Sequence, residues 1–125
     1  MDTIVAIPSA LPGGLDAAVD AHFGHCGIYT LVEVANGQIK AVKTLENVPH
    51  QQGGCMAPVN HLASHNVKAL ISGGMGFRPL QGFHQVGITV YHNGGAPSVG
   101  AAVQAFLHDS LPEFTVDQTC GGGQH

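Results

Sequence analysis

The stretch Ser72-Gly73-Gly74-Met75-Gly76-Phe77-Arg78 follows a short apolar run (Val67, Ala69, Leu70, Ile71) and precedes Pro79, which suits the first turn of a helix. It reads as a strand-to-helix elbow. Its glycines let bare backbone N–H groups approach a ligand, so the chain is organised around a binding loop in an α/β arrangement. Gly74-Met75-Gly76 lacks the third glycine of a dinucleotide loop and no Gly-Lys-Ser/Thr follows, which argues against a common nucleotide.

The rest of the chain falls into place around the elbow. Thr3 to Ile7 is a continuous β-prone run suited to a buried strand, with Pro8 as its expected end. Ser9 to Gly27 reads as a long loop with one helical turn around Leu15 to Val19. Ile28 to Ala35 and Gln38 to Glu46 flank Asn36-Gly37, the signal for a type I′ hairpin. Met56, Val59, Leu62 and Ala63 recur at helical spacing, giving a first helix ending near Asn66. A second helix turns Leu80, Phe83 and Val86 inward, and a strand follows from Ile88 to Tyr91. Ser98 is placed to cap a third helix that carries Val99, Ala102, Val103 and Phe106 on one stripe. The order is β-β-β-α-β-α-β-α, with parallel crossovers in the second half and an antiparallel hairpin in the first. Residues 1–112 form the expected domain, and 113–125 a flexible, polar, glycine-rich tail.

In such a sheet a ligand lies outside the carboxyl ends of the parallel strands. Four loops share that edge: Ser9 to Gly27, Asn47 to Gly54, Ser72 to Arg78, and His92 to Ser98. They hold most of the 18 glycines and a large share of the nine histidines and three cysteines. His22, His25 and Cys26 form a compact constellation of imidazole and thiolate donors for a cuprous or ferrous ion, although Cys26 equally suits a small buried position. Cys55 opens the first helix, where the dipole lowers a thiol pKa. His50 lies in the same loop. His61 and His65 stand four apart but opposite the apolar stripe, so they are expected to face solvent. His84, His92 and His108 carry no motif.

Composition narrows the function. Four basic against eight acidic side chains give no polyanion-binding field, so nucleic acid and anionic membrane surfaces are excluded as general partners. No apolar run spans a bilayer and the first residues lack a basic flank, which predicts a cytoplasmic address. An odd number of cysteines favours free thiols or metal ligands over disulfides.

Taken together, His22-Phe23-Gly24-His25-Cys26, the hairpin, Glu46-Asn47-Val48-Pro49, Gly53-Gly54-Cys55, the Ser72 to Gly76 elbow and Tyr91 to Ala96 resemble the dinitrogenase iron-molybdenum cofactor biosynthesis family. That family includes carriers related to NifX, the C-terminal part of NifB, and the small orange proteins. The resemblance implies a ribonuclease-H-like three-layer α/β fold with a mixed five-stranded sheet. It also implies noncovalent carriage of a metal–sulfur cluster: a molybdenum–copper sulfide in the orange-protein branch, or an iron–molybdenum or iron–sulfur cluster. A soft, bulky anionic cluster can be held by N–H donors, helix N-termini and apolar contact. The residues expected to supply these are His22, His50, Cys55, Ser72, Gly73, Gly74, Met75, Gly76, Phe77, Arg78, Gly94, Gly95, Ala96 and Ser98, with His22, His25, Cys26 and Cys55 as metal donors. Arg78, the sole arginine, adds a fixed positive charge.

Two rivals remain at this stage. A labile copper or zinc chaperone or regulator would use the same histidines and cysteines without sulfide. A small hydrolase is disfavoured, because Asp2, Asp16, Asp20, Glu33 and Glu46 are scattered and Cys55 with His50 lacks a third group to orient the base. The expectation is a non-enzymatic protein, monomeric or weakly dimeric, with a protein partner that donates or receives the cluster.

Overall fold

The computed structural model describes residues 3–20, 28–46, 56–73, 77–93, 96–108 and 111–114. Its elements are β1 (Thr3–Ser9), β2 (Ile28–Ala35), β3 (Gln38–Glu46), α1 (Met56–Ser64), β4 (Ala69–Ser72), α2 (Phe77–Gln85), β5 (Thr89–His92) and α3 (Val99–Leu107). The order is the one read from the sequence. The five strands form one mixed sheet in the order β3-β2-β1-β4-β5. β1, β4 and β5 run parallel, while β2 is antiparallel to both β1 and β3.

Period-two alternation sorts the core onto the two faces of this sheet. Ala6, Tyr29, Leu31, Leu70 and Val90 meet Val59 and Leu62 of α1 and Leu80 and Phe83 of α2. Val5, Ile7, Val32, Val34, Ala69 and Ile71 meet Val99, Ala102 and Val103 of α3. The result is three layers, with the sheet in the middle. The central strands are therefore apolar on both faces, as a sheet covered by helices on both sides requires.

Local chemistry explains the joints. Asn36 and Gly37 have φ of 55° and 76°, the pair of positive values that a type I′ turn demands. Past the turn, Val34 pairs Ile39 but Glu33 pairs Ala41, so Lys40 is an extra residue on β3. α1 and α2 end alike. Asn66 (φ 64°) and Gly87 (φ 85°) take the left-handed conformation. The next residues donate back into their helices, Val67 N–H to Leu62 O at 3.3 Å and Ile88 N–H to Phe83 O at 2.9 Å, and both Val67 and Ile88 are buried.

Five details differ from expectation. Pro8 lies inside β1, opposite Tyr29. β1 pairs β4 only at Val5 and Ala6, and the Pro8 carbonyl accepts from Asp20 N–H at 2.8 Å, so the missing Pro8 donor faces a loop and disturbs no ladder. Residues 15–19 form no helical turn. Ala17 N–H bonds Gly14 O in a tight turn, and Ala18 and Val19 make single bridges to Ser98 and Ser9. Val86 is 41% exposed, because it lies beyond the last turn of α2. β5 starts at Thr89 and reaches His92, since Ile88 is used to close α2. The packed body also includes Glu113 and Phe114, which the sequence assigned to the tail. Glu113 bridges Tyr91, Phe114 N–H bonds Val90 O at 2.8 Å, and the Phe114 ring is buried.

Candidate functional site at the carboxyl edge of the sheet

Register places the ends of the strands together. Ser9 pairs Ile28, Ile28 pairs Glu46, and Ser72 pairs His92, so the carboxyl ends of β1, β3, β4 and β5 and the start of β2 share one edge. The four loops singled out in the sequence leave from or return to these residues. At the opposite end the connections are the Asn36-Gly37 turn and the two left-handed helix ends.

The α3 half of this edge is closed by the protein itself. Ser9 Oγ lies 2.8 Å from Thr30 Oγ1, and Gly14 N–H donates to Thr30 Oγ1 at 3.0 Å. Gly13, at φ 81°, lies so close to the sheet that a Cβ there would meet Thr44 Cγ2 at 2.8 Å. The loop then runs over the start of α3. Val99 N–H donates to Ala17 O at 2.9 Å, Gly100 N–H to Leu15 O at 2.8 Å, and Ala101 N–H to Ser98 Oγ at 3.2 Å. A Cβ on Gly100 would come within 3.2 Å of Leu15 O, which is why a glycine stands inside this helix.

These bonds revise the expected contribution of Ser98. It caps α3 as the spacing predicted, but its hydroxyl and the first N–H groups of α3 already have partners within the chain. Direct donation from this helix end to a ligand is closed off.

The other half of the edge is built from the ends of β4 and β5 and the starts of α1 and α2. Ser72 is fully buried, and its carbonyl accepts from Asn93 N–H at 2.9 Å. Asn93 Oδ1 accepts from Ala96 N–H at 3.1 Å, so the asparagine side chain fixes the two ends of the Gly94-Gly95 connection. Phe77 and Arg78 open α2 by their backbone, with Pro79 in its first turn, and Pro58 holds the same position in α1. His92 is half-buried, pairs Ser72 in register and stacks on Phe114 with ring centroids 5.2 Å apart. No motif marks His92. Its signal was positional: strand alternation and β5 together place it on the α1/α2 face at the carboxyl edge.

Among the expected site residues, Ser72, Gly73, Ala96 and Ser98 are brought to this edge, and Phe77 and Arg78 reach it by their backbone. His22, His25, Cys26, His50, Cys55, Gly74, Met75, Gly76, Gly94 and Gly95 lie outside the described residues. Among the described residues, no group of three His, Cys, Asp or Glu side chains is arranged to hold a metal ion. Nor is any helix among them long and apolar enough to cross a membrane.

Residues 1–109 match the model of the family described as dinitrogenase iron-molybdenum cofactor. The chain belongs to that family. Among solved structures, the apo form of the orange protein from Desulfovibrio gigas superposes with a TM-score of 0.80 at 27% identity, covering 90% of this chain and 93% of that one. A NifB-like protein from Thermotoga superposes with a TM-score of 0.73 at 28% identity, covering 90% and 97%. An uncharacterized protein of Methanocaldococcus jannaschii is 30% identical over 95 residues, 74% of this chain and 80% of that protein. The orange protein and the NifB-like protein thus share the fold of this chain.

Proposed function

We propose that this protein is a cytoplasmic, non-enzymatic carrier that holds a metal–sulfur cluster noncovalently at the carboxyl edge of its sheet. The observation that carries the reading is the asymmetry of that edge. The α3 half is sealed by the chain's own hydrogen bonds, whereas the half shared by Ser72, His92 and the starts of α1 and α2 is fed by the glycine-rich connections 47–55 and 74–76. Family membership over residues 1–109 supports the same reading.

The chemistry fits such cargo. A sulfide cluster is a soft anion that needs N–H donors and a positive potential more than oxygen ligands, and two helix starts with Arg78 provide both. The favoured cargo is a molybdenum–copper sulfide, in keeping with the likeness to the orange protein. Iron–molybdenum and iron–sulfur clusters share the soft sulfide surface. Cys55 and His22 are the thiol and imidazole best placed in sequence to touch the cluster. A protein that supplies or accepts it is the expected partner.

The test is an absorption titration of reduced apoprotein with tetrathiomolybdate and Cu(I), beside Fe(II) with sulfide and beside Cu(I) alone, with native mass spectrometry of each product. A charge-transfer band and matching cluster mass that require molybdenum, copper and sulfide together, and weaken in Arg78→Ala, support the reading. Saturation by Cu(I) alone, lost in the Cys26→Ser/Cys55→Ser variant, would replace it with a labile-metal carrier.

A further inference from the structure

On α1, His61 and His65 stand four residues apart with ring centroids 5.0 Å apart and planes at 75°. His61 is half-buried and His65 exposed. Each ring has one nitrogen engaged by a backbone carbonyl. His61 Nε2 lies 3.0 Å from Glu46 O, and His65 Nδ1 lies 2.9 Å from His61 O. A carbonyl can only accept, so the engaged nitrogens carry the protons and the neutral rings present lone pairs at His61 Nδ1 and His65 Nε2.

A ring nitrogen held by a carbonyl is a feature these rings share with histidine ligands. A metal-bound imidazole donates its second N–H to a carbonyl or carboxylate, which fixes tautomer and ring orientation. Two imidazoles that share one ion at about 2.0–2.1 Å and a near-tetrahedral angle have ring centroids about 5 Å apart. The pair already stands at that separation. Ser64 Oγ donates to the same His61 carbonyl at 2.7 Å, which further fixes the acceptor that orients His65. Among the described residues, this is the one pair of histidines in ring contact.

We infer that His61 and His65 form a peripheral two-histidine site for a borderline divalent transition ion such as Zn²⁺ or Cu²⁺, with water in the remaining positions. The site is independent of the cluster reading. It is also linked to the fold in a specific way: the His61 N–H holds the carbonyl of Glu46, the last residue of β3, from which the connection carrying His50 and Cys55 departs. An ion seated on the pair therefore stiffens the base of that connection.

The full-length, reduced, nitrogen-15-labelled protein titrated with Zn²⁺ tests this, read by long-range proton–nitrogen spectra of the histidine side chains. His61 Nδ1 and His65 Nε2 are expected to shift together along one saturation curve. Loss of an orienting partner alone weakens metal affinity ~10–100-fold, so removal of one ligand by His65→Gln should weaken binding at His61 at least tenfold. His65→Gln keeps the His61 to Glu46 contact, so the comparison survives even if His61→Gln disturbs folding. Independent titration of the two rings, or no response from them at millimolar Zn²⁺ while the cysteines saturate, would overturn the assignment.

Discussion

The two halves of the carboxyl edge are both reached through glycine-containing connections between strands and helix starts, and among the described residues it is the α3 half that the chain closes with its own hydrogen bonds. On the α3 side, Gly13 and Gly100 allow backbone to approach backbone, and residues 10–20 close the helix start with their own carbonyls. On the α1/α2 side, Ser72 and His92 end two parallel strands beside two helix starts that each carry proline in the first turn. The lesson is that a glycine such as Gly13 or Gly100 can mark close approach of the chain to itself, decided by which carbonyls and side chains are within reach.

Breaking the framework under the α1/α2 half should produce the largest effect. Phe83 is fully buried between α2 and the sheet, and Phe83→Ala should lower unfolding free energy by about 3–5 kcal/mol in urea denaturation, with loss of cluster loading at temperatures where the variant is partly unfolded. Gly13→Ala attacks the sealed half instead. A Cβ at positive φ costs about 1–2 kcal/mol and crowding against Thr44 adds about 1–3 kcal/mol, so a clear fall in the urea midpoint is expected. Ser98→Ala should cost about 1 kcal/mol, the usual worth of a helix cap. If α3 offered its end to the cargo, that variant would also weaken cluster loading as strongly as Arg78→Ala; the sealed geometry predicts a change in stability alone. The smallest effect belongs to Val86→Lys, within about 0.5 kcal/mol by thermal melting, because the side chain is already largely in water.

Much of the fold could be read from local signals. The Asn36-Gly37 turn, the Ser98 cap and the Val99, Ala102, Val103 stripe are each specified by residues close in sequence, and all three appear as expected. What escaped the sequence depends on distant partners. Pro8 is tolerated inside a central strand only because β4 ends its pairing early, and the closure of α3 relies on Leu15 and Ala17 meeting a helix more than 80 residues away in sequence. Gly100 was the one local hint of that closure. His92 was missed for a similar reason, since nothing in its neighbourhood marks it and only the strand order brings it beside Ser72. Gathering of the loops was legible because parallel strands share their carboxyl ends; the donor set His22, His25, Cys26 and Cys55 lies outside the described residues.

The bulge on β3 has a consequence for how the molecule behaves in a crowd. β5 has its outer side covered by Pro112 to Phe114, whereas β3 is the other outermost strand and its nine residues are largely exposed. Lys40, the extra residue, and Lys43 both lie on it, and a kinked strand bearing two ammonium groups is a poor template for a second strand. Two copies approaching along this side bring their Lys43 ammonium groups together, a repulsion that added salt screens. Colloidal stability of the protein should therefore decline as ionic strength rises, the reverse of proteins that associate through opposite charges.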